Sequence, residues 1–341
     1  MQMSYFKTSS KAAETPFEKI LFENALSNRV SVYLHPVVSR KNPVGGESIP
    51  IIVSIANLPK RLVNKKGSLT DEDLFEIFKY ANAGTCNSPY PMKISDTNPP
   101  LDFQVDGRYV YRPNHNGTHS ARQVRYLEAL FDLIEKKGNK EVQTALNELT
   151  GEEKFNLKLG AYFLRVGRVD ESDHRTPFPD NYARRSAQIY EQYAKQLGVR
   201  SEVIDWVKML IENSCKAPSH HVSSTKNKLG YMLLIMVHEI DLVRCYGKKF
   251  FNTKLSLIRN YLNYFVNNNI SSRDKDVLRD KLVTLGQDLC RATGEHLAYG
   301  RAKEEHLAYS REERDRKRFA WNSWNGADCW KTLQKMPIPK W

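Results

Sequence analysis

The stretch Lys228–Arg244, KLGYMLLIMVHEIDLVR, constrains this chain more than any other, because it is apolar on almost every side. A helix at a protein surface shows one apolar stripe, so a helix that is apolar all round must be covered by neighbours on every face. Its longest uninterrupted apolar run, Leu229 to Val237, is far below the roughly 20 residues that a membrane span requires. The stretch therefore reads as the central buried helix of a soluble protein with no transmembrane segment.

The rest of the chain supplies the cover. Val124, Leu127, Phe131 and Ile134 recur at helical spacing until Gly138, and Phe155, Leu159, Tyr162 and Val166 repeat the pattern after Thr150. Further helices are expected over Tyr182–Leu197, Glu202–Asn213, Phe251–Asn267 and Val277–Cys290. Upstream, Arg29–His35 and Ile49–Ile55 have the β-branched content of short strands around a turn at Asn42–Glu47. Thr70 is placed to cap a helix, and the Pro/Asn/Asp-rich stretch Asn87–Asp106 reads as loop. The expectation is an all-α, bundle-like fold with minor short β elements near the N-terminus. Residues 1–50 form an N-terminal extension and 51–341 a single helical domain.

Near the C-terminus Glu-His-Leu-Ala-Tyr occurs twice, at Glu295 and Glu305. That offset turns a helix by about 80°, so the copies share no stripe. A charged, exposed helix is expected there, followed by Trp321, Trp324 and Trp330 and a loose or strand-like tail.

The net charge of +13 favours an anionic partner. Nucleic acid, phosphate esters and acidic protein surfaces all qualify. The basic residues are spread along the chain rather than interleaved with aromatics in one patch, which argues against nucleic acid. The five cysteines are scattered and form no CxxC pair, so neither a disulfide framework nor a zinc finger is expected. No apolar signal-peptide core is visible at the N-terminus.

Three segments carry side chains suited to chemistry. In Tyr111-Arg-Pro-Asn-His-Asn-Gly-Thr-His-Ser-Ala-Arg122, Pro113 and Gly117 put His115 in a turn and His119 in the first turn of a helix capped by Thr118 or Ser120. The free N–H groups of such a helix end favour an anion, and Arg112 and Arg122 add positive charge. In Gly160-Ala-Tyr-Phe-Leu-Arg-Val-Gly-Arg-Val-Asp-Glu171, a helix ends with the shape that metal-dependent His-Asp phosphohydrolases use. The doublet positions hold Leu164 and Arg165, neither of which ligates a divalent cation. Glu171 follows that end. In the third segment His238 interrupts the apolar helix, Asp241 stands one turn on where it can orient the imidazole, and Arg244 lies in the last turn. Each feature alone also fits packing or solvation. Together they suit phosphoryl chemistry in which one imidazole attacks phosphorus, a second protonates the leaving oxygen, and arginine stabilises the charge.

These motifs, Arg-Pro-Asn-His with a second histidine four residues on, Gly-Arg-Val-Asp-Glu, and Met-Val-His with arginine six residues later, resemble the phosphodiesterase domain of the Legionella SidE effector family over roughly residues 50 to 330. The resemblance implies an all-helical, metal-independent and cofactor-free hydrolase. It implies His115 as the nucleophile that forms a covalent phosphoribosyl-ubiquitin intermediate, His238 as general acid and Glu171 as support for the nucleophile. It places His119 and Arg244 at positions lining the phosphate pocket, and Arg122, whose positive charge lies nearby in the sequence, completes the expected phosphate-binding set. The chain lacks the Glu-x-Glu signature of the family's ADP-ribosyltransferase domain, so it looks like the stand-alone members. These separate phosphoribosyl-ubiquitin from a substrate serine, and ADP-ribosyl-ubiquitin offers the same phosphorus. Ubiquitin and ubiquitinated host proteins are then the partners, and the host cytoplasm the place of action of a secreted bacterial effector. Two other readings stand beside this one. One is a metal-dependent nucleotide phosphohydrolase with His115, His119 and Glu171 as ligands. The other is a non-catalytic module that binds ubiquitin or RNA.

Overall fold

The computed structural model describes residues 29–38, 48–65, 68–81, 90–91, 103–105, 109–111, 117–167, 182–214, 224–242, 248–292, 330 and 332–341. In chain order the elements are strands β1 (Arg29–Val38) and β2 (Ser48–Ala56), then helices α1 (Lys60–Val63) and α2 (Asp71–Ala81). Three short strands follow: β3 (Tyr90–Pro91), β4 (Phe103–Val105) and β5 (Tyr109–Tyr111). The remaining helices are α3 (Gly117–Lys137), α4 (Lys140–Glu148), α5 (Gly151–Phe163), α6 (Tyr182–Gln196), α7 (Ser201–Asn213), α8 (Thr225–Leu242), α9 (Lys248–Phe265) and α10 (Ser272–Ala292). The fold is all-α with minor β elements, as expected. Among the described residues, no helix is long and apolar enough to cross a membrane.

Local chemistry sets the helix boundaries. Asp73 reaches back to accept from the Thr70 N–H at 2.7 Å, closing the start of α2. Thr150 and Glu153 form a full capping box at α5. The α6–α7 turn is a Schellman ending. Gly198 takes φ 68°, the Val199 N–H donates to the Ala194 carbonyl at 3.1 Å, and the Gly198 N–H donates to Lys195 at 3.1 Å.

Helix α8 is the centre of the bundle. It packs against α3, α4, α5, α7, α9 and α10, and everything from Leu229 to Val237 on it is buried. Continuous cover of this kind is what its all-round apolar sequence requires. Strands β1 and β2 form an antiparallel hairpin, paired from Arg29↔Ala56 to Leu34↔Ile51 and again from Val37↔Ile49. The register slips where Pro36 and Pro50 have no N–H to give the ladder.

Four expectations are corrected. Helix α4 was not anticipated, although Asn139 caps it by accepting from the Val142 N–H, and Val142, Ala145 and Leu146 bury one face. The stretch read as loop contributes β3 and β4 to a three-stranded sheet of order β3-β5-β4. Helix α3 begins at Gly117, so Thr118 and Ser120 lie inside its first turn rather than capping it. The tail is not loose: Trp330 and Leu333 are fully buried, and Met336, Ile338 and Trp341 pack against the core. The turn at Asn42–Glu47, the repeats at Glu295 and Glu305, and Trp321 and Trp324 lie outside the described residues.

Candidate functional site

Helices α3 and α8 lie against each other, and this contact unites the first and third chemical segments. His119, in the first turn of α3, meets His238 of α8 edge to face, with ring centroids 6.2 Å apart and planes at 76°. His238 is half-buried. His119 is 2% exposed. His115, Glu171 and Arg244 lie outside the described residues, as does Arg112. His115 stands two residues before α3, Arg244 two residues after α8, and Glu171 four residues after the last described position of the α5 turn.

Behind the two rings is a buried polar cluster centred on Asp241. The His119 Nδ1–H donates to Asp241 Oδ2 at 2.5 Å. Arg122 donates through Nε to Oδ1 at 2.8 Å and through Nη2 to Oδ2 at 3.3 Å. The Tyr126 hydroxyl donates to Oδ1 at 2.8 Å. The other ring nitrogen of His119 lies 3.1 Å from Gln123 Nε2. Asp241 is thus committed to α3. Asp241, expected one turn from His238 where it can orient that imidazole, bonds the neighbouring His119 ring, and that ring in turn meets His238.

The electrostatics follow from the geometry. Burial drives the Asp241 carboxyl upward, but the Arg122 and His119 charges and their hydrogen bonds outweigh it and hold the group below its ordinary value. Burial first, and then the Asp241 charge, push the Tyr126 hydroxyl well above the usual phenol range. Tyr126 therefore acts as a neutral donor. Arg122 is fully buried, so its guanidinium serves the interior here.

Gln123 and Tyr126 escaped the sequence reading, although a signal for them exists. His119, Arg122, Gln123 and Tyr126 occur at i, i+3, i+4 and i+7, a polar stripe on the face of α3 that should be apolar if it only packed.

The second segment is fixed from another side. Past α5, the Gly167 N–H donates to Ser186 Oγ at 2.9 Å, and Arg185 Nε donates to the Gly167 carbonyl at 2.7 Å. A side chain at position 167 would fall 2.3 Å from the Ser186 backbone nitrogen. This clamp sets where the chain departs toward Glu171. Sequence offered no means of telling buried Arg185 from its exposed neighbour Arg184. Leu164 is fully buried, and the Arg165 guanidinium lies over the Tyr182 ring at 5.0 Å. Among the described residues, no group of three or more His, Cys, Asp or Glu is arranged to hold a metal ion.

Comparison with known proteins places these residues in context. The profile of the SidE phosphodiesterase (PDE) domain matches residues 79–298. Among solved structures, the chain is similar to lpg1496 crystallised under 350 MPa, with 16% identity, a TM-score of 0.45, and coverage of 96% of this chain and 98% of that one. It is also similar to the C-terminal domain of lpg1496 from Legionella pneumophila in complex with nucleotide, with 18% identity, a TM-score of 0.40, and coverage of 94% and 97%. No curated protein gives a significant match.

Proposed function

The chain belongs to the SidE phosphodiesterase domain family, and from that premise we propose that it cleaves the phosphodiester joining phosphoribosyl-ubiquitin to a substrate serine. The observation that carries this reading is the family match itself. It spans residues 79–298, and so includes His115, Glu171, His238 and Arg244 together.

In this reaction His115 attacks phosphorus, a bond forms from its ring nitrogen, and the serine oxygen leaves with a proton from His238. Water then attacks the phosphoryl-histidine, gives its proton back to His238, and releases phosphoribosyl-ubiquitin and free His115. Glu171 holds the tautomer in which His115 presents a lone pair. Arg244 balances the charge gathering on the phosphoryl oxygens. His119 and Arg122, assigned by sequence to phosphate binding, are buried around Asp241 and support the site from the interior. No metal or cofactor takes part. ADP-ribosyl-ubiquitin presents the same phosphorus with AMP as the leaving group, and is a second substrate under the same mechanism. The partners are modified ubiquitin and ubiquitinated host proteins, met in the host cytoplasm by a secreted effector.

The test is release of unmodified substrate from a phosphoribosyl-ubiquitinated protein. Turnover by the native chain, unaffected by EDTA and abolished in His115→Ala, is expected. His238→Ala should accumulate a phosphoribosyl-ubiquitin adduct on the intact protein, visible as added mass. Full activity of His115→Ala, or loss of rate on chelation, would refute the mechanism.

A further inference from the structure

Asp241 does more than neutralise Arg122. A buried ion pair gives little net stability over apolar packing of the same volume, and Arg122 alone would satisfy the charge of one carboxylate. Yet Asp241 also accepts from His119 at 2.5 Å and from Tyr126 at 2.8 Å. All of these donors stand on α3, whereas Asp241 stands on α8. One side chain therefore fixes both the depth and the rotation of α3 against the helix that carries His238.

The consequence for His119 is specific. A carboxylate only accepts, so the proton of the His119 ring is held on Nδ1. The remaining nitrogen faces the Gln123 amide at 3.1 Å. With both edges held, the ring cannot turn, and it is this fixed ring that meets His238 at 6.2 Å and 76°. His238 and Asp241 are also one turn apart on α8. The carboxylate thus bears on His238 through the His119 ring, from a position one turn away on the same helix.

We infer that Asp241 and His119 are positioning residues for His238: Asp241 fixes the plane and tautomer of the His119 ring, and that ring holds His238 in one orientation. The inference rests on the reading above, in which His238 protonates the leaving oxygen. A general acid acts only when its N–H is aimed within hydrogen-bond reach of that oxygen, and a misplacement near 1 Å costs on the order of 10²-fold in rate.

The experiment compares native protein with Asp241→Asn, His119→Gln and the double variant. It follows turnover of a phosphoribosyl-ubiquitinated substrate, thermal unfolding, and the long-range proton–nitrogen spectrum of the histidine rings, with His238 identified from its loss in His238→Ala. Each single variant is expected to lose about 10²-fold in kcat with KM within about threefold. The double should lose no more than the worse single, because both act through one ring. The His238 ring signals should move or broaden in both singles. Multiplicative losses in the double, or a His238 ring spectrum unchanged in either single, would overturn the inference. Should Asp241→Asn not fold, His119→Gln alone decides the matter through the His238 ring spectrum. That spectrum needs no turnover, so a native chain inactive on the substrate counts against the proposed function, while the ring signals still judge the positioning.

Discussion

At the scale of single residues, the cluster around Asp241 has consequences for stability that can be measured apart from activity. Removing one partner of a buried pair leaves an uncompensated charge, so Arg122→Met should destabilise the protein by about 3–5 kcal/mol in urea unfolding. A variant as stable as the native chain would show that the pair is not closed in solution. The pH dependence has a definite sign. The folded Asp241 carboxyl lies below its ordinary value, whereas an aspartate in an unfolded chain titrates near about 3.9. Its contribution is therefore complete above about pH 3.9 and fades as pH falls below that toward the folded value. Acidification below about pH 4 should lower the urea midpoint. Asp241→Asn should be weaker at neutral pH and show a shallower fall on acidification, and parallel curves for the two proteins would contradict the assignment.

At the scale of elements, the boundaries were legible where a side chain does the capping. Thr150 opens α5 through a capping box, and its replacement by alanine should cost about 1 kcal/mol in thermal unfolding. The Gly167 clamp was not legible, because it depends on the Arg185 and Ser186 side chains and on nearby backbone of α6, all distant in sequence. In Gly167→Ala the new methyl would meet Ser186 N at 2.3 Å and Tyr182 O at 2.5 Å, so α5 and α6 must part. The expected cost is about 1–3 kcal/mol, together with a fall in kcat, since the chain runs from this clamp to Glu171. Full activity in a destabilised Gly167→Ala would show that the clamp serves packing alone. Helix α4 escaped because its amphipathic span is short, and the strands β3 to β5 because pairs of two or three residues leave no periodic pattern.

At the scale of the molecule, the C-terminal segment acts as a strap. The Trp330 ring sits at 5.2 Å from Phe78 in a T-shaped contact, and Phe78 stacks on Tyr162 at 3.9 Å. The strap thereby joins α2 and α5. Arg125 of α3 donates to the Met336 carbonyl at 2.5 Å and pairs with Glu128. Lys158 of α5 bridges Glu128 at 3.2 Å and Asp71 of α2 at 2.8 Å. Trp330→Ala should cost about 3–5 kcal/mol by the large-to-small rule for a fully buried aromatic. Thermal unfolding checks it, and a change below about 1 kcal/mol would mean the segment is not seated in solution.

The sequence by itself determined that this protein is helical around one covered helix, because a segment apolar on all sides and too short to span a membrane must be covered by its neighbours. It also determined which residue types gather for chemistry, because histidines, a carboxylate and arginines stand out against apolar or glycine-rich surroundings. Only the tertiary structure decided their partners. His119 and Asp241 are far apart in the chain and meet at 2.5 Å, and no periodicity within α3 or α8 says which carboxylate lies beneath which ring. Burial was likewise a decision of the fold. Arg122 looked like surface charge near an anion and proved to be fully enclosed, because a guanidinium enters the core only where a folded neighbour supplies the opposite charge. The Lys228–Arg244 stretch therefore fixed what had to be built around it, and the packing of α3 upon it determined which ring His238 would meet.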